Sequence, residues 1–364
     1  MNILLVGGGT GGPVSPLLAI ADEIKKQHPK ARFLLVGSKS GPEKLMAQKA
    51  GIEFVVISSG KLRRYFSLQN FIAPFFILAG FFQSLKILKS FRPDCIFGTG
   101  SFVQVPVVWA GKILSVPVVL HQQDVVPGLA NRLCQFAAKK ITVTFEASLK
   151  GFASGLGIFY TQRQPEKIVL TGNPFREELR DGSLERAIKF FGLKKDFPTL
   201  LVLGGGTGAE FFNKLMADSL PVLAKTVQII HSTGQGKLRA KPAENYHPFE
   251  FISNMADAYA AADIVFSRCG LSTVTELSNL QKLSIIVPMP DSPQEINALF
   301  LTQMESAIVL NQNKITPAGF TALIRKLLFA PEAQQTLKSK IAAIMPKGAN
   351  RKIAEIILKL AEKS

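Results

Sequence analysis

Acidic residues and cysteine are scarce in this chain. Aspartate and glutamate number 26 against 43 lysines and arginines in 364 residues, a formal net charge of +17. That surplus points to an acidic partner: nucleic acid, anionic lipid or a phosphorylated substrate. The three cysteines, Cys95, Cys134 and Cys269, show no metal-type spacing and no disulfide framework. A reduced, cytosolic location is expected from them. No basic leader precedes the apolar run that opens at Ile3, and no signal peptide is read. Neither an Asp-x-Asp tripeptide nor a Cys/His cluster argues for a metal, so no metal and no cofactor is expected. No Gly-Lys-Ser/Thr follows either glycine-rich loop, which argues against a P-loop nucleotide hydrolase. No nucleic-acid recognition motif is present, and the basic residues cluster with Phe rather than with Tyr or Trp. Nucleic acid is therefore not the expected partner.

What is present is a globular composition, 47% hydrophobic, in a chain long enough for two domains. Leu4-Leu5-Val6-Gly7-Gly8-Gly9-Thr10-Gly11-Gly12 recurs as Leu201-Val202-Leu203-Gly204-Gly205-Gly206-Thr207-Gly208-Ala209. Each copy is an apolar run, a glycine-rich turn and a helical pattern. A repeat spaced by half the chain predicts two similar α/β domains rather than a short-period solenoid. Strand-like runs at Phe33–Val36, Phe54–Ile57, Cys95–Phe97, Val118–His121 and Ile141–Val143 alternate with helical stretches. Val227–His231, Ile264–Ser267 and Ser284–Pro288 do the same after the second copy. Such alternation predicts βαβ units and doubly wound parallel sheets. Thr171-Gly172-Asn173-Pro174 marks the boundary, giving domains over 1–172 and 173–347. A last amphipathic helix, opened by Gly348 within 348–364, is expected to return to the first domain.

Gly7, Gly9 and Gly12 fit the dinucleotide pattern G-x-G-x-x-G. A nicotinamide site wants an acid at the end of the next strand. Here that strand ends Val36-Gly37-Ser38-Lys39, and its counterpart ends His231-Ser232-Thr233-Gly234. The loops therefore read as places where backbone approaches a substrate closely, or simply as tight packing turns.

Lys61-Leu62-Arg63-Arg64 precedes 21 uncharged residues, Tyr65 to Leu85, and Lys86, Lys89 and Arg92 follow. The uncharged run holds Phe66, Phe71, Phe75, Phe76, Phe81 and Phe82. Gln69, Asn70, Pro74 and Gly80 argue against spanning a bilayer. Basic flanks around an aromatic centre suit insertion into an anionic membrane surface. The alternative is a core helix with a basic rim.

Phe251 to Asn297 carries the densest run of chemistry. Two apolar strands end in polar loops that open helices, where ligands of a parallel sheet bind. The Gly270–Thr273 turn suits a phosphate, through backbone N–H groups and a helix dipole. Glu276, one turn on, suits sugar hydroxyls. Thr273-x-x-Glu276 also reads as a capping box.

In this order the motifs resemble the MurG family of bacterial glycosyltransferases, over nearly the whole chain. The matching residues are the Gly7–Gly12 loop, His121-Gln122-Gln123-Asp124 with Pro127-Gly128-Leu129 and Asn131-Arg132, and Thr171-Gly172-Asn173-Pro174 with Arg176. They continue with the Gly204–Ala209 loop and Asn213, Phe251-Ile252 with Met255, Arg268-Cys269-Gly270 with Thr273 and Glu276, and Gln294 with Asn297-Ala298. The resemblance implies a GT-B fold, two Rossmann-like domains facing across a cleft. It implies inverting transfer of N-acetylglucosamine from UDP-N-acetylglucosamine to undecaprenyl-diphosphate-linked muramoyl peptide, lipid I to lipid II, in peptidoglycan synthesis. The place implied is peripheral, on the cytoplasmic face of an anionic membrane, with Phe71, Phe75, Phe76, Phe82 and Lys86 meeting the lipid.

By the same resemblance Ile252 reads the uracil, Glu276 holds the ribose, and Gly270, Leu271, Ser272 and Thr273 meet the diphosphate. Gln294 and Asn213 touch the sugar, and Arg176 and Met255 line the pocket. Thr10, Gly11, Gly12 and Gly206 are further donor positions. Gly9, Thr10, Phe102, Gln122 and Asp124 are the acceptor positions. Several residues depart from the family pattern. Pro13 replaces a His, Phe102 a Tyr, Gln122 a Glu and Asp124 an Asn. Gly206-Thr207 stands for Ser-Gln, and Pro293 for the first of two Gln. With Pro13 unable to titrate, Asp124 and His121 are the candidate catalytic bases. Helix capping by Asp124 and a satisfied strand-end role for His121 are the plain alternatives. A different lipid-linked acceptor, a UDP-sugar epimerase and a membrane-bound scaffold are the competing functions.

Overall fold

The computed structural model describes residues 1–60, 69–153, 165–205, 208–238 and 243–363, and of 69–73, 153 and 165 the backbone alone. The chain divides into two compact units, Met1–Arg176 with Met345–Ser364, and Glu177–Ile344.

The first unit alternates strand and helix. It runs β1 (Asn2–Val6), α1 (Gly11–Gln27), β2 (Arg32–Gly37), α2 (Glu43–Lys49), β3 (Glu53–Val56) and α3 (Gln69–Phe91). Then come β4 (Cys95–Gly98), α4 (Gln104–Ile113), β5 (Val118–Gln122), α5 (Leu129–Cys134), β6 (Lys140–Val143), α6 (Ala147–Ala153) and β7 (Ile168–Leu170). The sheet order is β3-β2-β1-β4-β5-β6-β7, with every pairing parallel. Successive strand residues face opposite sides. Leu4, Val6, Leu34, Val36, Ile96 and Leu120 therefore join the core under α3, α4 and α5. Ile3, Leu5, Phe33, Leu35, Phe97 and Val119 join the other core, with α1. Apolar residues on both faces explain why these strands read as continuous hydrophobic runs.

The second unit holds α7 (Leu184–Phe191), β8 (Thr199–Leu203), α8 (Glu210–Leu223), β9 (Gln228–Ser232), β10 (Tyr246–Phe249), α9 (Met255–Ala261) and β11 (Ile264–Ser267). It continues through α10 (Leu271–Asn279), β12 (Leu283–Ile286), α11 (Gln294–Gln303), β13 (Ile308–Val309), α12 (Pro317–Leu328) and α13 (Pro331–Ala342). Its sheet, β10-β9-β8-β11-β12-β13, is parallel too. Phe212, Phe266 and Phe320 stack in series through its core, with ring centroids 4.3 and 4.7 Å apart.

The last helix, α14 (Ala349–Ala361), belongs to the first unit, where Ile353, Ala354, Ile357, Leu358 and Ala361 are buried with Val14, Leu17 and Ile20 of α1. Residues 173–176 and 345–347, expected in the second domain, group with the first. A two-point clasp ties the Phe175 segment there. Asn350 Oδ1 accepts from the Phe175 N–H at 2.8 Å, and Asn350 Nδ2 donates to the Phe175 carbonyl at 2.7 Å.

In each sheet the strand order reverses beside its first strand, between β1 and β4 and between β8 and β11. Ligands of open parallel sheets bind outside the carboxyl ends of the strands at such a reversal. The two copies of the repeated glycine loop lie at these two points.

Candidate functional site

In the first unit, the loop after β1 is held from two sides. Gly9 has φ +88°, and a Cβ there would meet Phe102 Cε1 at 2.9 Å. Glycine is therefore required for both backbone and packing. The N–H of Gly9 donates to Glu43 Oε1 at 3.1 Å. The same oxygen accepts from the Ser38 N–H at 2.8 Å and from the Ser38 hydroxyl. Glu43 is completely buried. A carboxylate of the chain itself thus sits where a Rossmann loop offers its N–H groups to phosphate. Sequence reading looked for an acid at the end of β2, found none, and missed Glu43 five residues beyond Ser38. Thr10 is the extended N-cap residue of α1 and makes no side-chain cap; Gly11 and Gly12 open the helix.

For His121 the plain strand-end alternative holds, and Gln122 is not the acceptor contact expected of it. His121 is fully buried, with Nδ1 2.9 Å from Thr142 Oγ1 and Nε2 2.7 Å from Asn173 Oδ1. Burial pushes its pKa down to about 4. Both ring nitrogens are engaged inside the unit, so His121 is a structural strand-end histidine and not a base. Gln122 is also consumed internally. Its Nε2 donates to the carbonyls of Asp124 (2.9 Å) and Val126 (3.1 Å), and its Oε1 accepts from Asn131 Nδ2 at 2.6 Å. It braces the loop rather than binding an acceptor. Ser148 Oγ holds the Val125 carbonyl at 2.9 Å from the other side. Asp124 stands half-buried on this braced loop, and Arg176 is half-exposed at the unit's end.

His231 of the second unit is buried like His121, and burial lowers it to about 4 as well. The sign follows. Between about pH 6.5 and about 4 the unfolded chain takes up a proton at each histidine that the folded chain refuses. Stability present above pH 6.5 is then lost as pH falls to about 4, by about 3 kcal/mol per histidine. Urea midpoints measured across this window should fall; a flat profile would contradict the burial.

In the second unit the loops are tied edge to edge. Arg268 stacks over Phe212, its Cζ 4.7 Å from the ring centroid, and donates to the carbonyls of Val287 and Pro288 at 3.3 and 3.0 Å. Gln294 Oε1 accepts from the N–H groups of Cys269 (3.2 Å) and Met289 (3.0 Å). That fixes its amide: the oxygen bridges the loops after β11 and β12, and the NH2 is the end left for a ligand. Asn213 Nδ2 donates to the Thr233 carbonyl at 3.1 Å, while its buried Oδ1 has no partner among the described residues. Gly208, at φ +69°, presses against the same carbonyl, which a Cβ would meet at 2.1 Å.

Gly270 is the N-cap of α10, with no side-chain cap, and Leu271, Ser272 and Thr273 form the first turn. The capping-box reading therefore fails: the helix starts before Thr273. Glu276 Oε2 instead accepts from the Tyr259 hydroxyl at 2.7 Å. Ile252 is buried in the loop after β10, and Met255 opens α9 behind the Asn254 cap. Gly206 and the side chain of Phe71 lie outside the described residues. Thus the donor positions Asn213, Ile252, Met255, Gly270–Thr273, Glu276 and Gln294 share one unit, while Thr10, Gly11, Gly12 and Arg176 belong to the other.

Residues 3–143 match the glycosyltransferase family 28 N-terminal domain, and residues 199–352 match the family 28 C-terminal domain. A protein of Clostridium kluyveri is 36% identical over 98% of this chain and 99% of its own length. It is named UDP-N-acetylglucosamine--N-acetylmuramyl-(pentapeptide) pyrophosphoryl-undecaprenol N-acetylglucosamine transferase. A protein of Lachnoclostridium phytofermentans with the same name is 40% identical over 79% of this chain and 78% of its own. The crystal structure of MurG from Acinetobacter baumannii shares the fold, with a TM-score of 0.71 at 24% identity over 98% of this chain and 99% of that one. So does UDP-GlcNAc 2-epimerase from Neisseria meningitidis, with a TM-score of 0.68 at 15% identity over 99% and 100%.

Proposed function

Because the chain belongs to glycosyltransferase family 28, we propose that it moves N-acetylglucosamine from UDP-N-acetylglucosamine to N-acetylmuramyl-(pentapeptide) pyrophosphoryl-undecaprenol, the lipid I to lipid II step of peptidoglycan synthesis. It is a hexosyltransferase with the GT-B fold. The observation that carries the reading is the near-full-length match to relatives named for this transfer. The likeness to an epimerase extends to the fold alone. Incubation with radiolabelled UDP-N-acetylglucosamine and a panel of polyprenyl-diphosphate acceptors should give labelled lipid only with the muramoyl-peptide acceptor. Turnover of the donor without any acceptor would instead mark an epimerase.

The second unit takes the donor in this reading. Glu276 accepts the ribose hydroxyls and Ile252 reads the base. The start of α10 meets the diphosphate, whose negative charge grows as the glycosidic bond breaks. The Gln294 NH2 and Asn213 Oδ1 meet the sugar, one as donor and the other as acceptor. Asp124 takes the proton from the attacking acceptor hydroxyl, and the acceptor lies against Gly9, Thr10 and Phe102. Met255 completes the donor contacts of this unit.

The same reading puts the first unit on an anionic membrane surface, at its cytoplasmic face. No helix among the described residues is long and apolar enough to cross a membrane. Helix α3 has two faces. Ile77, Phe81, Leu85 and Leu88 pack on the core, whereas Phe75 (72% exposed), Phe76 (51%) and Phe82 (61%) face solvent near exposed Lys86. Exposed rings beside ammonium groups are the composition of an interfacial helix. Changing Phe75, Phe76 and Phe82 together to Ser should release the protein from anionic vesicles with its melting temperature preserved. Retention on vesicles would exclude this face, and unfolding would return the rings to the core.

A further inference from the structure

Glu43 is a costly residue to bury. It opens α2, is completely buried, and its Oε2 has no hydrogen-bond partner among the described residues. An ionisable group left half-satisfied in the interior costs stability. Three glycines make the space for it. A Cβ on Gly8 would meet Glu43 Oε1 at 2.4 Å, one on Gly37 would meet Glu43 Cγ at 2.6 Å, and one on Gly41 would meet Oε2 at 1.7 Å. Packing alone does not account for such a side chain, because an apolar residue would fill the place without the unpaired oxygen. What the carboxylate provides is a grip. Its Oε1 joins the Gly9 N–H of the loop after β1 to the N–H and hydroxyl of Ser38 at the end of β2. Ser38 and Glu43 are buried, whereas Gly9 and Thr10 are exposed. The loop is therefore held from beneath by a hydrogen bond to a carboxylate, with its upper face open and the Phe102 ring against Gly9.

We propose that Glu43 is a positioning residue for the acceptor: its buried carboxylate anchors Gly9 and so presets the loop face on which the acceptor lies. The proposal rests on the reading that the acceptor lies against Gly9, Thr10 and Phe102. The physical reason is conformational entropy. Gly7, Gly8 and Gly9 are consecutive, and glycine samples more backbone states than any other residue. A loop ordered before the acceptor arrives spares the complex that ordering, and the difference appears as affinity. These bonds all lie within the first unit, and the donor positions Ile252, Glu276 and Gln294 within the second. Acceptor affinity should respond while donor affinity does not.

The test measures kcat, the KM for N-acetylmuramyl-(pentapeptide) pyrophosphoryl-undecaprenol, UDP affinity by calorimetry and the melting temperature, all in the full chain. Glu43→Ala is expected to raise the acceptor KM by roughly tenfold or more, with kcat and UDP affinity nearly unchanged. Glu43→Gln keeps an oxygen for the Gly9 N–H and should restore most of the acceptor affinity. A purely structural carboxylate would lower the melting temperature and leave the acceptor KM of the folded enzyme native, and that result overturns the proposal. A raised KM that Glu43→Gln fails to bring down overturns it too, since the hydrogen bond would then not be the cause. If Thr10→Ala and Phe102→Ala both keep the native acceptor KM, the acceptor does not lie on this loop, and the role of Glu43 falls with that reading. Should the Ala variant not fold, Glu43→Met, which fills the volume without a carboxylate oxygen, makes the same comparison.

Discussion

Asp124→Asn is expected to lower kcat by about 10²–10⁴-fold, with UDP affinity unchanged. The size follows from losing a general base while keeping everything around it. The loop that carries Asp124 is held through its backbone: Gln122 Nε2 donates to the carbonyls of residues 124 and 126, and Ser148 Oγ to that of residue 125. An Asn of the same shape leaves those backbone bonds in place. A fall in turnover would then report the missing proton acceptor rather than a displaced loop. The other candidate has been removed on structural grounds, since both His121 nitrogens are engaged and the ring is buried. The acid limb of the kcat/KM profile should disappear in the Asn variant. Full activity would exclude Asp124 and move attention to exposed Glu295 at the start of α11.

Asn131→Ala should destabilise the first unit by about 3–5 kcal/mol, because it orphans several buried groups at once. Asn131 is 1% exposed. Its Nδ2 donates to the His121 carbonyl at 3.2 Å and to Gln122 Oε1 at 2.6 Å, and its Oδ1 accepts from Gln104 Nε2 at 2.6 Å. Gln104 in turn receives the Gly100 N–H at 2.8 Å. One amide thus links the loop after β4 to the loop after β5, so activity should fall along with stability. The chain's one tryptophan is a built-in reporter. Trp109 donates from Nε1 to the Leu133 carbonyl at 3.2 Å, on the same helix as Asn131. Urea unfolding followed by its fluorescence gives the cost directly. A loss below about 1 kcal/mol would mean that water replaces the amide and the network is not cooperative.

The central strands were legible because two-sided burial leaves unbroken apolar runs, as in Leu4–Val6 and Ile264–Ser267. The edges were not. β7, β10 and β13 are short and only partly buried, and β10 contains Pro248, which an edge strand tolerates and a central one does not. Motif spacing located Glu276 and Gln294 but not which of their atoms are already committed. That depends on partners distant in the chain, such as Tyr259 and the backbone of Cys269. The same blindness left the role of His121 open and made Gln122 look available. A strand-end polar residue has the same letters whether it points to solvent or into the sheet, and every residue of β5 is buried. Glu43 was invisible because its bonds to Gly9 and Ser38 exist only in the folded loop, and no periodicity announces them.

The return of α14 to the first unit has a consequence for the order of events during synthesis. Residues 177–344 are contiguous, so the second unit has all its parts as soon as residue 344 emerges from the ribosome. The first unit does not. Its core against α1 contains Ile353, Ile357 and Ala361, and the Phe175 segment waits for Asn350. The half that is made first is therefore closed last. Until then the face of α1 stands open, which is the stage at which a nascent chain is most exposed to aggregation.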